Sequence, residues 1–381
     1  MNRASGQTNP KKETILSYLT QSLIFNFLVP KFNLISYVQR TMVPVSNLLT
    51  AVITTSPTPS SPSTELITSV LQSFHQHCPD LAAVRVIVVF DTFQRITTQA
   101  RLKTGSATPE IASSYNLYKE NVKSLILREY YVSKNKNDDG DDGYNMVNLQ
   151  ATAEYGSRDT VALSVAHTED KHITFIEPVE RLGFGIAVRS ALRLVETPYV
   201  WVQQHDWALV ADIPLRPILE VMQTSSLESE TNTPVKYVSF PSVRMLQYAE
   251  SNHVRQYPTL RTATTSLKQD FTYTSSDDSS VTIKVPLTPL FFWHDKPHLA
   301  STEHYLARVF PSSLAMRKGD FIEDKIGQRA RMQMKDGLWH KWACWLYYPD
   351  EGTRLCLRHL KGRTWKGKNA GEEVIQRYRS P

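Results

Sequence analysis

The stretch that most constrains the fold is residues 183–210, where a small-residue helix pattern runs directly into a buried strand pattern. Apolar or small residues recur at spacings of three and four from Ile186 to Leu194, which predicts a helix with one buried face. Thr197-Pro198 ends this helix, because proline cannot donate to the helical ladder. Residues 199–202 are β-branched or aromatic, as in a strand buried on both faces. A helix that feeds such a strand indicates an α/β protein.

Polar side chains follow at the end of this strand, namely Gln204, His205 and Asp206. Open α/β sheets bind their ligands at the carboxyl ends of central strands. An ordinary surface loop is polar as well. The position is therefore compatible with a ligand site but does not establish one.

The chain upstream shows the order strand, helix, strand. Residues 48–53 form a buried strand pattern, followed by a loop rich in proline and serine at residues 54–63. A helix begins near Glu65, and the next strand pattern, residues 84–90, ends on Asp91. This βαβ spacing predicts two parallel strands joined by a right-handed crossover.

A chain of 381 residues is long enough to bury one large core. We predict one domain at residues 47–365, with a lead-in at residues 1–46 and a basic tail at residues 366–381. Further elements are helices at residues 109–130, 212–222 and 321–334, strands at residues 172–177 and 235–240, and hairpins at residues 271–287 and 339–360.

The net charge of +6 comes largely from the C-terminal residues. Nucleic-acid binding fits poorly, because the charge is terminal and is not spread with aromatic residues along one face. Cys78, Cys344 and Cys356 give neither a disulfide framework nor a zinc spacing, and we predict free thiols.

The apolar run at residues 15–29 is too short and too polar for a membrane span, and it is predicted to be an amphipathic helix. Peripheral membrane contact through this helix stays open. A cytoplasmic or membrane-peripheral location is slightly favoured, and the secretory pathway also stays open.

With these elements in place, the chain resembles the GT-A fold glycosyltransferases, above all their inverting family 2 group. In that family a first strand leads into a nucleotide-binding loop, which here begins at Thr54. A second strand ends in an aspartate that contacts the base, which matches Asp91 in VVFDTF. A helix with a glycine and an arginine follows, which matches Gly183 and Arg189. The resemblance covers roughly residues 48–330 and implies a Rossmann-like mixed sheet flanked by helices.

The D-x-D motif of this family holds a divalent cation against the donor diphosphate, and here Gln204 replaces its first acid. Gln204, His205 and Asp206 offer oxygen and nitrogen ligands that suit Mn²⁺ or Mg²⁺. A late histidine often completes the family's site, and His359 in LRHLKGR occupies that place. On the residues alone, Asp206 could instead cap a turn and His205 could be structural.

An acidic pair on a later helix supplies the catalytic base of the family, which matches Glu323-Asp324 in GDFIEDKIGQ. Inverting transfer needs a base that deprotonates the acceptor hydroxyl. Asp324 is the predicted base and Glu323 the second candidate. The helix dipole favours acids in any first turn, so a structural role is the alternative for both. For Arg189, diphosphate binding and a surface ion pair stay open equally.

The resemblance implies an enzyme that moves a sugar from a nucleotide-diphosphate sugar to a hydroxyl of a glycan, protein or lipid, with inversion. The alternative, favoured by Gln204, is a GT-A-like domain that binds without catalysis. A nucleotidyltransferase would need a phosphate loop rich in glycine and basic residues, and residues 54–63 contain neither.

Overall fold

The computed structural model describes residues 43–131, 145–227, 233–274, 282–365 and 367, which all belong to one compact unit. The helix expected at residues 15–29 and nearly all of the basic tail lie outside the described residues. Among the helices that are described, none combines the length and the apolar character needed to cross a membrane.

The strands in the described part of the chain are numbered in chain order. They are β1 Leu49–Thr55, β2 Arg85–Phe90, β3 Arg95–Ile96, β4 Ser106–Ala107, β5 Met146–Tyr155, β6 Asp159–Thr168, β7 Ile173–Pro178, β8 Tyr199–Gln204, β9 Trp207–Leu209, β10 Tyr237–Ser239, β11 Gln269–Thr274, β12 Thr282–Pro289, β13 His298–Ser301, β14 Cys344–Tyr347 and β15 Leu357–His359.

The α-helices are numbered in the same way. They are α1 Val45–Leu48, α2 Glu65–His77, α3 Pro109–Tyr131, α4 Phe184–Leu192, α5 Leu215–Leu227, α6 Asn252–Arg255, α7 Pro258–Leu267, α8 Thr302–Val309 and α9 Gln328–Lys335. A stretch of π-helix, Glu323–Gly327, leads directly into α9.

A large mixed sheet has the strand order β11-β12-β14-β10-β13-β8-β1-β2-β7-β6-β5. Its centre is parallel, because β1 pairs in parallel with β2 and β8, and β2 with β7. Strand β13 runs antiparallel to its neighbours β8 and β10. Helices α3, α4, α5 and α8 contact the sheet. The α/β fold with a mixed sheet flanked by helices is therefore confirmed.

The centre of the sheet is formed by the strands that the sequence marks as most apolar. Every residue of β1 is buried, and so are the first five residues of β8. A hydrogen bond of 2.8 Å between the hydroxyls of Thr50 and Thr197 ties the Thr197-Pro198 junction to β1. Because β1 is parallel to both β2 and β8, the carboxyl ends of these three strands lie at one edge of the sheet. Ligands of such sheets bind at this edge.

The predicted hairpin at residues 339–360 is wrong. Strand β14 is fully buried and pairs with β10 and β12, whereas β15 pairs with β9 in a separate two-stranded sheet. The residues of β14 are apolar and aromatic because the strand lies between β10 and β12 in the large sheet. They do not indicate pairing with the segment that follows in the chain. Cys344 and Cys356 consequently do not face each other in a hairpin, and all three cysteines are free thiols, as predicted.

The β5–β6 hairpin and helices α6 and α7 had no counterpart in the sequence prediction. Most residues of β5 are exposed, although apolar and polar residues alternate along it from Val147 to Tyr155. This period-two pattern is a strand signal that the sequence prediction missed.

Candidate active site at the carboxyl edge of the sheet

Two adjoining pockets open at the carboxyl ends of the central strands. The first pocket is lined by residues at or just after the carboxyl ends of β1, β2 and β8, and Thr54 and Asp91 are among them. The second pocket, a cleft of about 770 Å³, reaches Glu323 and Asp324. Five residues line both pockets: Lys103, Gln204, Asp206, Phe321 and Arg363. With the exception of Arg189, the residues predicted for donor binding and for catalysis therefore border one continuous hollow.

Asp91 is buried at the end of β2 and holds the start of helix α4. Its carboxylate oxygens accept hydrogen bonds from the N–H groups of Leu182 and Gly183, at 2.7 and 3.0 Å. Burial raises the pKa of Asp91, and these N–H donors and Arg181 oppose the rise. Each oxygen keeps a further lone pair, which can face a ligand in the first pocket.

The start of α4 requires glycine at position 183. Gly183 has φ of 82° and ψ of 161°, a backbone conformation that is essentially restricted to glycine. A Cβ at this position would lie 2.4 Å from the Cα atom of Gly319. Gly183 also lines the first pocket, but its backbone geometry alone explains the residue.

A turn after β8 carries His205 and Asp206, and the buried side chain of Gln203 shapes this turn. Gln203 Nε2 donates to the carbonyl oxygens of Gln204 and Trp207, at 2.8 and 2.6 Å. Its Oε1 accepts from Trp201 Nε1 at 3.1 Å. Gln203 is therefore structural, whereas Gln204 lines both pockets.

His205 is buried and held by the loop that follows β1. Its Nδ1 accepts from the Ser56 N–H at 3.1 Å and lies 2.7 Å from the Thr55 hydroxyl. Because an N–H donates to Nδ1, the proton of the neutral ring is on Nε2. Burial lowers the pKa of His205, although Asp206 opposes this effect. The arrangement favours the structural role of His205 over the predicted role as a metal ligand.

Asp206 is a buried carboxylate at the junction of the two pockets. Its Oδ2 accepts from His359 Nε2 at 3.0 Å and from the Gly362 N–H at 3.1 Å. Its Oδ1 is buried and has no hydrogen-bond partner among the described residues. Burial acts to raise the pKa of Asp206, but His359, His205 and the Gly362 N–H bring it below its usual value. A buried oxygen without a partner is costly unless a ligand supplies one.

His359 reaches Asp206 through the pairing of β15 with β9. The register places His359 opposite Trp207, and the two rings stack with centroids 4.7 Å apart. The chain then turns tightly around Asp206, because the Leu360 N–H donates to the Asp206 carbonyl at 2.7 Å. A Cβ at Gly362 would lie 2.9 Å from Asp206 Cβ, so this close approach needs a glycine.

No group of three or more His, Cys, Asp or Glu side chains in the described part of the chain could hold a metal ion. The ligand set of Asp206, His205 and His359 therefore stays a prediction. Asp206 and His359 alone still fit a divalent cation, because Asp206 Oδ1 lacks a partner. Mg²⁺ in particular is commonly bound by one or two carboxylates together with substrate phosphates.

The two acids of Glu323-Asp324 differ in their surroundings. Glu323 Oε2 accepts from His294 Nδ1 at 3.3 Å and from the Asp295 N–H at 3.4 Å. Burial acts to raise the pKa of Glu323, but His294, Lys296 and the Asp295 N–H hold it at about 2. Asp324 is exposed, lines the second pocket and makes no hydrogen bond or ion pair with other described residues. Asp324 is therefore the carboxylate that a substrate can reach.

Asp295, to which the sequence assigned no role, connects these elements. Its Oδ1 accepts from the Glu323 N–H at 2.9 Å, and its carbonyl accepts from Gln204 Nε2 at 2.8 Å. Burial, and then the charge of Glu323, raise the pKa of Asp295 well above its usual range, which favours the neutral acid. Gln204 is thus fixed to the loop that carries Asp295.

Thr54 and Arg189 were also predicted to bind the donor, and only Thr54 lies at the first pocket. Thr54 lines the first pocket, and its hydroxyl donates to the Gln203 carbonyl at 3.4 Å. Arg189 lines neither pocket described above and is only 2% exposed. Its Nη1 donates to the carbonyls of Ser312 and Ser313, at 3.4 and 3.5 Å. The structure therefore does not bring Arg189 to the predicted donor site.

Three basic residues at the first pocket were not identified from the sequence, namely Lys103, Arg181 and Arg363. Arg181 Nη2 donates to the Lys103 carbonyl at 3.1 Å, and Arg363 lies over the Phe321 ring at 5.4 Å. They come from three segments far apart in the chain, so no local motif marks them.

No family model matches the chain, and no curated protein matches it. Solved structures do show similarity. S. aureus TarS is 9% identical with a TM-score of 0.27, over 51% of this chain and 21% of that one. The mannosyltransferase PcManGT from Pyrobaculum calidifontis, in complex with GDP-Man and Mn²⁺, is 12% identical with a TM-score of 0.33, over 80% of this chain and 58% of that one.

Glucosyl-3-phosphoglycerate synthase from Mycobacterium tuberculosis, in complex with Mn²⁺, UDP and glucosyl-3-phosphoglycerate, is 11% identical with a TM-score of 0.32. That match covers 87% of this chain and 77% of the other. The similar structures are GT-A glycosyltransferases, the group that the sequence motifs resemble. At these TM-scores, the likeness carries no argument about the donor, the acceptor or the mechanism of this chain.

Proposed function

We propose that this chain is a glycosyltransferase that binds a nucleotide-diphosphate sugar in the first pocket and transfers its sugar to an acceptor hydroxyl in the second pocket. The observation that carries the proposal is Asp206. This buried carboxylate borders both pockets, and one of its oxygens lacks a partner among the described residues while the other is bonded to His359.

The first pocket offers contacts that suit a nucleoside diphosphate. Lys103, Arg181 and Arg363 place positive charge around it, and such side chains bind phosphates through charge-assisted hydrogen bonds. Asp91 can accept a hydrogen bond from an N–H group of the base with the lone pairs that Leu182 and Gly183 leave free.

Asp206 and His359 are the residues that would hold Mn²⁺ or Mg²⁺. When bound, such an ion stabilises the negative charge on a departing diphosphate. The two side chains are fixed in advance by the β9–β15 pairing and the Gly362 N–H. Lys103 and Arg363 border the same junction and would stabilise the same charge.

Asp324 is the proposed general base. It would remove the proton of the acceptor hydroxyl as the hydroxyl oxygen attacks the anomeric carbon. Asp324 borders the second pocket but not the first, whereas Asp206 borders both. The base and the leaving diphosphate would thus lie on different sides of the sugar, which supports inversion.

A second function, nucleotide binding without catalysis, is favoured by one observation. Gln204 stands where the related motif has an acid, and its amide Nε2 is bonded to the Asp295 carbonyl. A neutral residue held in this way gives less attraction for a cation than a carboxylate would.

An assay of donor breakdown tests these two functions. The purified chain is incubated with UDP- and GDP-sugars, one at a time, with Mn²⁺ and a panel of acceptors, and free nucleoside diphosphate is measured. Metal-dependent release from one donor is the expected result. Nucleotide binding without release would favour the non-catalytic module, and the absence of both would contradict both functions.

A further inference from the structure

We propose that the acceptor carries a phosphate or carboxylate group near the hydroxyl that receives the sugar, and that Arg244, Lys296 and Arg358 bind this group. The inference rests on the proposed function, because it describes the acceptor side of the same site.

Basic side chains line the second pocket without anionic partners. Arg244, Lys296, Arg358 and Lys361 border the second pocket but not the first. None of the four makes an ion pair or a side-chain hydrogen bond with other described residues. Unpaired cations gathered in a concave surface create a positive potential that attracts an anion.

Separate segments bring three of these cations to one wall. Arg244 lies in the short helix Val243–Met245, and Arg358 lies in β15. A bridge between Ser242 and Leu357 joins the two segments. Burial lowers the pKa of Lys296, the negative charge of Glu323 opposes this effect, and the positive charge of Arg244 adds to it. Arg244 and Lys296 are therefore close enough to repel each other, and an anion between them would relieve this repulsion.

Lys361 lines the second pocket close to its junction with the first. It directly precedes Gly362, whose N–H donates to Asp206 Oδ2. With Lys103 and Arg363, it is placed to neutralise the donor diphosphate, so these three cations are not assigned to the acceptor.

The acids of the second pocket do not cancel the positive charge. Asp206 is hydrogen-bonded to His359 and Glu323 to His294, and Glu323 also interacts with Lys296. Asp295 is buried in a setting that favours its neutral form. Asp324 alone remains as an unpaired carboxylate among the described acids that line the pocket. Six lysine and arginine side chains line the second pocket, against the charged carboxylates of Asp206, Glu323 and Asp324. This excess of positive charge suits an acceptor with its own negative charge.

The reaction with such an acceptor is balanced without any further reagent. The acceptor oxygen forms a bond to the anomeric carbon, and its proton passes to Asp324. The bond from the anomeric carbon to the diphosphate oxygen breaks, and its electron pair leaves with the diphosphate. Binding the acceptor's anionic group beside Asp324 would orient the hydroxyl for this attack.

The test uses the full chain saturated with Mn²⁺ and the nucleoside diphosphate that binds it, so that the first pocket is filled. Inorganic phosphate, and then glycerol 3-phosphate against glycerol, are titrated by calorimetry. One saturable phosphate site is expected, with glycerol 3-phosphate preferred over glycerol. Arg244→Gln and Arg358→Gln should each lower the affinity for phosphate and for glycerol 3-phosphate by about tenfold, the effect of losing one charged hydrogen bond. Arg354→Gln is the matched control, because Arg354 is exposed on the same segment and does not line the pocket.

Vesicles of phosphatidylinositol, compared with phosphatidylcholine, distinguish a lipid-borne anion from a soluble one. If the protein sediments only with phosphatidylinositol vesicles, and Arg244→Gln weakens this, the acceptor is a lipid. If the protein binds phosphate but does not sediment with vesicles, the acceptor is soluble. If nucleotide binding persists, either of two results would overturn the inference. One is the absence of saturable anion binding, and the other is equal binding of phosphate by all three variants. Loss of nucleotide binding itself would instead count against the proposed function.

Discussion

Single residues of the same chemical type have different roles in this site because their contacts differ. Glu323 and Asp324 are neighbours in the chain, yet Glu323 is fixed by His294 and the Asp295 N–H, whereas Asp324 has no described partner. Asp206 and Asp91 are both buried, yet Asp91 has both oxygens occupied by backbone N–H groups while Asp206 Oδ1 has no described partner. Asp324 and Asp206 are therefore the carboxylates most open to ligands.

Replacing Asp324 by asparagine should lower the turnover number by about 10²- to 10⁴-fold, the usual contribution of a general base. The melting temperature of the Asp324→Asn protein should equal that of the unmodified protein, because Asp324 bonds to no described residue. Glu323→Gln should instead lower the free energy of unfolding by about 1 kcal/mol, because the charged acceptor for His294 and the Asp295 N–H is lost. Steady-state kinetics and thermal unfolding measure both effects. If Glu323→Gln abolished turnover without any loss of stability, the two roles would have to be exchanged.

The site residues also show where sequence reasoning ends. Asp206 and Asp324 could be identified because the resemblance fixes their order in the chain. The contacts that favour a structural role for His205, with Thr55 and Ser56, could not be predicted because they span 150 and 149 residues. Lys103, Arg181 and Arg244 carry no local signal, since only the folded chain brings their three segments to one hollow.

At the level of elements, the site depends on close backbone contacts between segments. The start of α4 passes the backbone of Gly319, and the turn at Gly362 passes Asp206. The central strands could be predicted because their apolar runs are local signals. The pairing of β9 with β15 could not, since both strands are only three residues long and are far apart in sequence.

Gly183→Ala should destabilise the protein by about 1–3 kcal/mol through backbone strain, with a further loss from the clash with Gly319. Gly337→Ala is the matched control, because Gly337 has the same φ of 82° but no atom within 4 Å of its ideal Cβ position. Urea unfolding of both variants measures the difference. Equal destabilisation would show that the contact of α4 with Gly319 adds nothing beyond the strain.

At the level of the whole molecule, the core holds histidines in their neutral form. Burial lowers the pKa of His298 to about 3 and that of His304 to about 4. Burial also lowers the pKa of His205. In the unfolded chain these side chains titrate near 6.5 and bind protons that the folded protein does not take up.

The free energy of unfolding should therefore fall as the pH drops from about 6.5 towards 4, by about 1.4 kcal/mol per pH unit for each of His298 and His304. His304→Gln should reduce this slope by one histidine's share, because glutamine can still donate to the Trp342 carbonyl but does not titrate. Urea unfolding at several pH values measures the slope. A slope that is unchanged in His304→Gln would contradict the assignment of a neutral buried His304.

The most direct test of the central claim, a nucleotide site built around Asp206, is thermal unfolding with a panel of nucleoside diphosphates, each with and without Mn²⁺. A ligand at 100 times its dissociation constant adds about 2.7 kcal/mol of stability, which is readily detected. We expect one nucleotide to stabilise the protein in a metal-dependent way. The shift should be lost in Asp206→Asn and kept in Asp212→Asn, a control at an exposed aspartate that pairs with His77. No stabilisation by any nucleotide, or an undiminished shift in Asp206→Asn, would contradict the account.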